Sequence, residues 1–130
     1  MVALYSLPVP RNTAVLITGC SSGIGADAAI RLCKLGFCVF AGVRKESDGE
    51  ALKKQLNNNS KLFPVLLDVT NMDQVTAAVD LIKNRLSQEN QKLIALINNA
   101  GRLLSVTICI SPSVMFCTFF LAVWRLAPLC

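Results

Sequence analysis

The chain has 130 residues, room for one domain, and 13 Lys and Arg against 8 Asp and Glu give it a formal charge of +5. A 53% hydrophobic fraction with so modest a basic excess excludes an intrinsically disordered chain and gives no reason to expect a nucleic-acid partner. Because there is no histidine, imidazole bases, Ser-His-Asp or Cys-His nucleophiles and His metal ligands are excluded too.

Met1 to Pro10 carries no positive n-region and no long apolar core, so no secretory signal is expected. Thr13 to Thr18 is a short β-branched and apolar run closed by Gly19, as suits a strand buried on both faces. Ile24, Ala28, Leu32 and Leu35 recur at helical spacing, and Gly36 stands where a C-terminal cap belongs. Phe37 to Val43 is the second strand. Ser47 and Glu50 have capping-box spacing ahead of a polar helix that runs to about Asn58, where Asn57-Asn58-Asn59-Ser60 breaks it. Leu62 to Val69 is the third strand. Met72, Val75, Val79, Ile82 and Leu86 then form one helical stripe with Thr70 or Asn71 as its cap, and Leu93 to Asn98 is the fourth strand. Strands alternating with helices over short loops predict right-handed crossovers and a parallel sheet with helices on both faces.

After Arg102 the composition changes. From Leu103 to Cys130, 20 of 28 residues are apolar, Arg125 is the one charge, and Leu103 to Trp124 is an uncharged run of 22. The chain therefore divides into an N-terminal extension (1–12), an α/β body (13–102) and an apolar tail (103–130). The six cysteines contain no Cys-x-x-Cys pair and no zinc-like spacing, so reduced thiols and no metal are expected. The expected location is cytoplasmic.

The first predicted strand ends in Thr18-Gly19-Cys20-Ser21-Ser22-Gly23-Ile24-Gly25, a Gly-x-x-x-Gly-x-Gly spacing between a strand and a helix. In such a turn Gly19 lets the chain leave the strand sharply, Gly23 keeps a Cβ out of the path of a pyrophosphate, and Gly25 lets the helix pack closely. The helix N-terminus faces the anion with free N–H groups, and Ser21 and Ser22 add hydroxyl donors. A Gly/Ser-rich turn that binds nothing is the alternative. Its place within a repeating β-α pattern argues for the phosphate site.

With these residues the sequence resembles the short-chain dehydrogenase/reductase family, from about Thr13 to Gly101. Asp68-Val69 resembles the acidic pair that in the family contacts the adenine ring. Asn98-Asn99-Ala100-Gly101 is similar to the motif that braces the sheet and lines the cofactor cleft, and Val39 to Arg44 resembles second strands of members acting on steroid-, retinoid- or hydroxy-acid-like alcohols. The resemblance implies a partial Rossmann-type doubly wound sheet in the order 3-2-1-4, a nicotinamide dinucleotide as partner, and Gly19, Ser21, Ser22, Gly23, Ile24, Gly25, Asp68, Val69, Asn99, Ala100 and Gly101 as cofactor-binding residues. Where NAD-preferring Rossmann proteins place a carboxylate, Val43 stands here, followed by Arg44 and Lys45. Two cations and no anion favour a 2′-phosphate, hence NADP over NAD.

The family's chemistry uses a Tyr that donates a proton, a Lys four residues later that lowers its pKa, and a Ser that polarises the carbonyl. No tyrosine follows Tyr5 and no lysine follows Lys92, so no catalytic residue is assigned. The expected function is the NAD(P)-binding part of an alcohol/carbonyl oxidoreductase, inactive alone; the alternative is a non-catalytic nucleotide-binding or membrane-tethered module. Three readings of the tail stand open: a truncated or misread product, a membrane segment over 103–124, or a strand or helix folded back on the sheet. Unless the tail folds back, the fourth strand is an open edge.

Overall fold

A computed structural model describes residues 12–57 and 61–101, and the backbone alone of 115–118. Most of the N-terminal extension, Tyr5 within it, the Asn58-Asn59-Ser60 break and the rest of the tail, including the membrane reading of 103–124, lie outside the described residues. The elements run β1 (Thr13–Ile17), α1 (Gly23–Lys34), β2 (Cys38–Val43), α2 (Glu46–Gln55), β3 (Leu62–Leu66), α3 (Met72–Gln88), β4 (Lys92–Asn98) and β5 (Met115–Thr118).

All strand pairs are parallel, and the sheet order is β3-β2-β1-β4-β5. Successive side chains of a strand point to opposite faces. Ala14, Leu16, Cys38 and Phe40 accordingly pack with Val75, Ala78 and Ile82 of α3, while Val15, Ile17, Val39, Ala41 and Val43 pack with Ala29 and Cys33 of α1 and Leu52 of α2. Every residue of β2 is buried, which is why its sequence is a continuous apolar run rather than an alternating one. The helices cover both faces, so the predicted doubly wound architecture is present.

Two helix readings need correction. In α1 the buried residues are Gly25, Ala29 and Cys33, one position on from the expected stripe, and Ile24 and Leu35 are 65% and 63% exposed. Small residues face inward there because the helix lies too close to the sheet for larger ones. In α2 the Ser47/Glu50 capping box does not form. The N-cap is Lys45, without a side-chain cap bond, and Ser47 lies inside the helix. Only Arg44 and Lys45 separate β2 from α2, so the helix starts at once, with Glu46 and Asp48 in its first turn complementing the dipole.

The α3 expectation fares better. Asn71 caps it by accepting from the amides of Asp73 and Gln74, and Val75 and Ile82 are buried, although Met72 is 64% exposed and Ala78 takes part in the buried stripe. Gly36 closes α1 and Asn90 closes α3 in the same way, each with positive φ (103° and 49°). In each case the next amide returns to the helix, Phe37 to the carbonyl of Leu32 and Gln91 to that of Leu86.

The edge of β4 is closed. Residues Ala95 to Asn98 pair in register with Met115 to Thr118, so over these four residues the tail's backbone is a fifth strand that satisfies groups an open edge would leave unpaired. Among the described residues no helix is long and apolar enough to cross a membrane.

Ile82 is 1% exposed within the α3 cluster and Leu81 beside it is 50% exposed. Ile82→Ala is expected to cost about 2–5 kcal/mol, read as a lowered urea midpoint, and Leu81→Ala to stay within about 0.5 kcal/mol.

Candidate functional site

In a doubly wound sheet ligands bind at the carboxyl ends of the strands, where the order reverses. Here that place is the end of β1, between β2 and β4, and a cleft of about 320 Å³ opens there. Its wall contains Gly19, Ser21 and Ser22 from the turn after β1, Arg44 after β2, Asp68 and Val69 after β3, and Asn99, Ala100 and Gly101 after β4. Nine of the sequence-predicted residues are thus brought together from four separate strand ends. Gly23, Ile24, Gly25 and Lys45 do not line the cleft; Lys45 caps α2, and Gly25 is buried beneath the turn. Leu67 and Thr70 line the cleft and were not anticipated. The Asp-x-Thr spacing of an Asx turn was the available signal for Thr70.

The turn is held by side chains that also contribute to the wall. The Thr18 hydroxyl accepts from the backbone N–H of Asn99 (3.1 Å) and of Ala100 (3.0 Å), while the Asn99 side-chain amide donates to the carbonyls of Thr18 (3.2 Å) and Gly19 (3.0 Å). On the β2 side the Cys20 amide donates to the Gly42 carbonyl (2.8 Å), and the Arg44 amide donates to the Ser21 hydroxyl (3.3 Å). This stitching requires close approach. A Cβ at Gly19, whose φ is +72°, would stand 2.7 Å from Cα of Ala100, and one at Gly25 would run into Asn99 Nδ2 and the Gly19 carbonyl. Gly25 therefore serves the packing of the helix against the turn itself.

Gly23 also has positive φ, +65°, but open space where its Cβ would be. Ser22, the N-cap of α1, makes no side-chain cap bond, so it leaves the first amides of the helix to another acceptor. A bare helix start beside open space suits the pyrophosphate of a dinucleotide.

Charge around the cleft is carried by two groups, Arg44 and Asp68. Val43, expected to mark the nucleotide-selecting position, is 1% exposed and packs with Ala41 and Leu52, so its side chain faces the core and not the cleft. The cation that reaches the cleft is Arg44. Asp68 Oδ1 accepts from both the amide (2.9 Å) and the hydroxyl (2.6 Å) of Thr70, and the Asp68 amide donates to Gln74 Oε1 at 2.9 Å.

Three free thiols lie in the core and none of them lines the cleft. Cys20, Cys33 and Cys38 are buried, and burial pushes Cys20 up to about 12 and the other two to about 11. No group of side chains able to hold a metal ion occurs among the described residues.

This architecture and cleft define a Rossmann-type nucleotide-binding domain. Residues 13–116 match the family described as short chain dehydrogenase, and the chain belongs to that family. The match continues past Gly101 into β5. Mouse mitochondrial D-beta-hydroxybutyrate dehydrogenase is 39% identical over 90 residues, covering 68% of this chain and 26% of that protein. Among solved structures, an actinorhodin polyketide ketoreductase with NADPH is 30% identical with a TM-score of 0.62, covering 74% of this chain and 36% of its own. A 3-ketoacyl-(acyl-carrier-protein) reductase from Brucella melitensis complexed with NADH is 26% identical with a TM-score of 0.57, covering 65% and 32%. The chain thus spans about a quarter of the mouse relative and about a third of each structure. The family binds NAD(P), and neighbours hold either nucleotide.

Two outcomes follow. Asn99→Ala, which leaves the Thr18 and Gly19 carbonyls without their donor, is expected to lower stability by about 1–3 kcal/mol in urea unfolding. The thiols keep protons in the folded chain that the unfolded chain releases above pH 9. Their stabilisation is complete below that pH and is lost as pH rises towards 11–12. Mass-spectrometric mapping after iodoacetamide at pH 8 should find Cys20, Cys33 and Cys38 unlabelled in native buffer and labelled in urea.

Proposed function

We propose that this chain binds NADP(H) in preference to NAD(H) and does not by itself turn over an alcohol or carbonyl. The observation that carries the preference is Arg44 in the wall of the cleft at the exit of β2, with no carboxylate beside it on that strand. A guanidinium there complements a 2′-phosphate, which a carboxylate would repel. The start of α1, with Ser21 and Ser22, holds the pyrophosphate, Gly23 leaves space for it, and Asp68 and Val69 border the adenine. Asn99 keeps the turn in shape for that contact. Lys45 stands one residue beyond Arg44 and adds to the local positive potential.

When bound, such a dinucleotide would supply or accept hydride at its nicotinamide ring. What the chain would have to add is a proton relay, and its only tyrosine, Tyr5, precedes β1, while no lysine follows Lys92. A positioned acid/base contributes a factor of about 10² to 10⁴ in rate, so binding without measurable turnover is the outcome proposed.

Fluorescence titration of the chain with NADPH and NADH tests this reading. Arg44→Ala should weaken NADPH binding by about tenfold or more and leave NADH within about twofold, the value of one charge-assisted contact. Equal losses for both nucleotides would refute the preference, and steady NADPH consumption with a carbonyl substrate would refute the absence of turnover.

A further inference from the structure

On the α1 face of the sheet the covering helices stop short of β4. α1 packs on β2 and α2 on β2 and β3, whereas Ala95 and Ile97 of β4, which pair with Val15 and Ile17 and share their face, are only half-buried. Beside them runs the apolar row of α1 that does not turn inward. Ile24, Ala28 and Leu32 each stand one position before an inward-facing residue, Gly25, Ala29 and Cys33, and Leu35 continues their row. In a right-handed β1-α1-β2 unit that offset puts them on the flank turned away from β2 and towards β4. The same rule holds for α3: Arg85, one position before the partly buried Leu86, lies on the β3 side of its helix, its guanidinium 4.3 Å from the centre of the Phe63 ring. Ile24 and Leu35, exposed at the two ends of the row, and half-buried Ala28 and Leu32 between them therefore form one wall of a groove floored by Ala95 and Ile97. Asp27 and Arg31 pair with each other (2.7 Å) on the solvent side of the helix and leave this lining uncharged.

The chain carries a cover of matching chemistry within reach. Strand β5 lies next to β4 and parallel to it, so Thr118 leaves the sheet at the carboxyl rim, one strand from the groove. The 12 residues that follow, Phe119 to Cys130, are hydrophobic except for Pro128 and a single charge, Arg125. Even at the rise of a helix, 12 residues span about 18 Å, against about 17 Å from Ile24 to Leu35. The pairing of 115–118 with β4 divides the apolar tail into two lengths of 12, where a membrane span takes about 20 residues. Residues 103–114 join parallel neighbours, and the right-handed rule sends such a crossover over the α3 face. A tethered segment meets the groove at an effective concentration of about millimolar, which a second copy of the chain does not reach in dilute solution.

We propose that residues 119–130 fold back from the end of β5 and fill the groove between α1 and β4, so that the tail closes the α1 face as well as the edge of the sheet. Ile24, which follows the glycine turn yet does not line the nucleotide cleft, then faces the tail.

Trp124 is the only tryptophan and stands midway along this segment, so its fluorescence reads the contact in the intact chain. In the wild-type monomer its emission should be blue-shifted and shielded from acrylamide relative to the same protein in urea. Leu35→Lys removes the burial of one leucine and Ala28→Glu puts a charge into the middle of the groove. Each should lower the ratio of docked to undocked tail by about tenfold or more and raise acrylamide quenching towards its value in urea. Leu81→Lys, on α3 and the opposite face, should change neither signal. Circular dichroism identifies any variant that has lost the fold, and Leu35→Lys, at an exposed position, carries the comparison where Ala28→Glu does not fold. An exposed Trp124 in the wild-type monomer overturns the proposal, and so does unchanged quenching in folded Leu35→Lys. Burial of Trp124 only in a dimer, by sedimentation velocity, overturns it in favour of a second copy. Burial only after addition of phosphatidylcholine–phosphatidylserine vesicles overturns it in favour of a bilayer.

Discussion

Thr18 sits where β1 gives way to the glycine turn, and its hydroxyl accepts two backbone amides from the end of β4, those of Asn99 and Ala100. Asn99 returns the bond by donating to the carbonyls of Thr18 and Gly19. Two residues 81 positions apart thereby satisfy groups that neither a strand nor a helix could, because the chain is leaving one at this point and has not entered the other. Thr18 is 1% exposed, so its hydroxyl has little water to turn to and leaving its bonds unmade would be costly. With the turn fixed against β4 on one side and against Gly42 and Arg44 of the β2 side on the other, Ser21 and Ser22, just ahead of α1, are held in the cleft wall.

The layered core makes that junction possible. β1 and β2 are buried on both faces and alternate their side chains between two clusters, one under α1 and α2 and the other under α3. Because the strands are parallel, all four strand exits fall on one rim, and residues distant in sequence become neighbours. The order β3-β2-β1-β4 then separates the exits by charge. Arg44 and Asp68 come from adjacent strands, whereas the Asn99 to Gly101 segment faces them across the turn. The chain belongs to the short-chain dehydrogenase family, and this rim is where a doubly wound sheet takes its ligand.

Much of this was legible in the sequence, and the departures have physical causes. The Gly19 to Gly25 spacing, the Asn71 cap and the Gly36 stop are local devices, written in residues that act on their own neighbours. Ser47 and Glu50 had equally good local spacing, yet two residues of loop after β2 left no room for a helix to begin so late. The stripe of α1 was misplaced by one residue because hydrophobicity marks Ile24 and Leu35, whereas close packing selects Gly25, Ala29 and Cys33. Thr70 and Gln74 were missed for a different reason. A polar residue near a helix start reads as solvated surface until the group it serves is seen, and here that group is Asp68.

The sequence by itself determined the alternation of strands and helices and the glycine spacing of the turn after β1, and it contains no histidine, no tyrosine after Tyr5 and no lysine after Lys92. These depend on periodicity, spacing and residue inventory, all of which a linear chain displays. Tertiary structure alone decided that Val43 faces the core while Arg44 faces the cleft, that Gly25 yields to Asn99 and the Gly19 carbonyl, and that residues 115–118 pair with β4. Each of these turns on which groups come within van der Waals or hydrogen-bond distance across the sheet, and that distance is set by the packing of elements far apart along the chain.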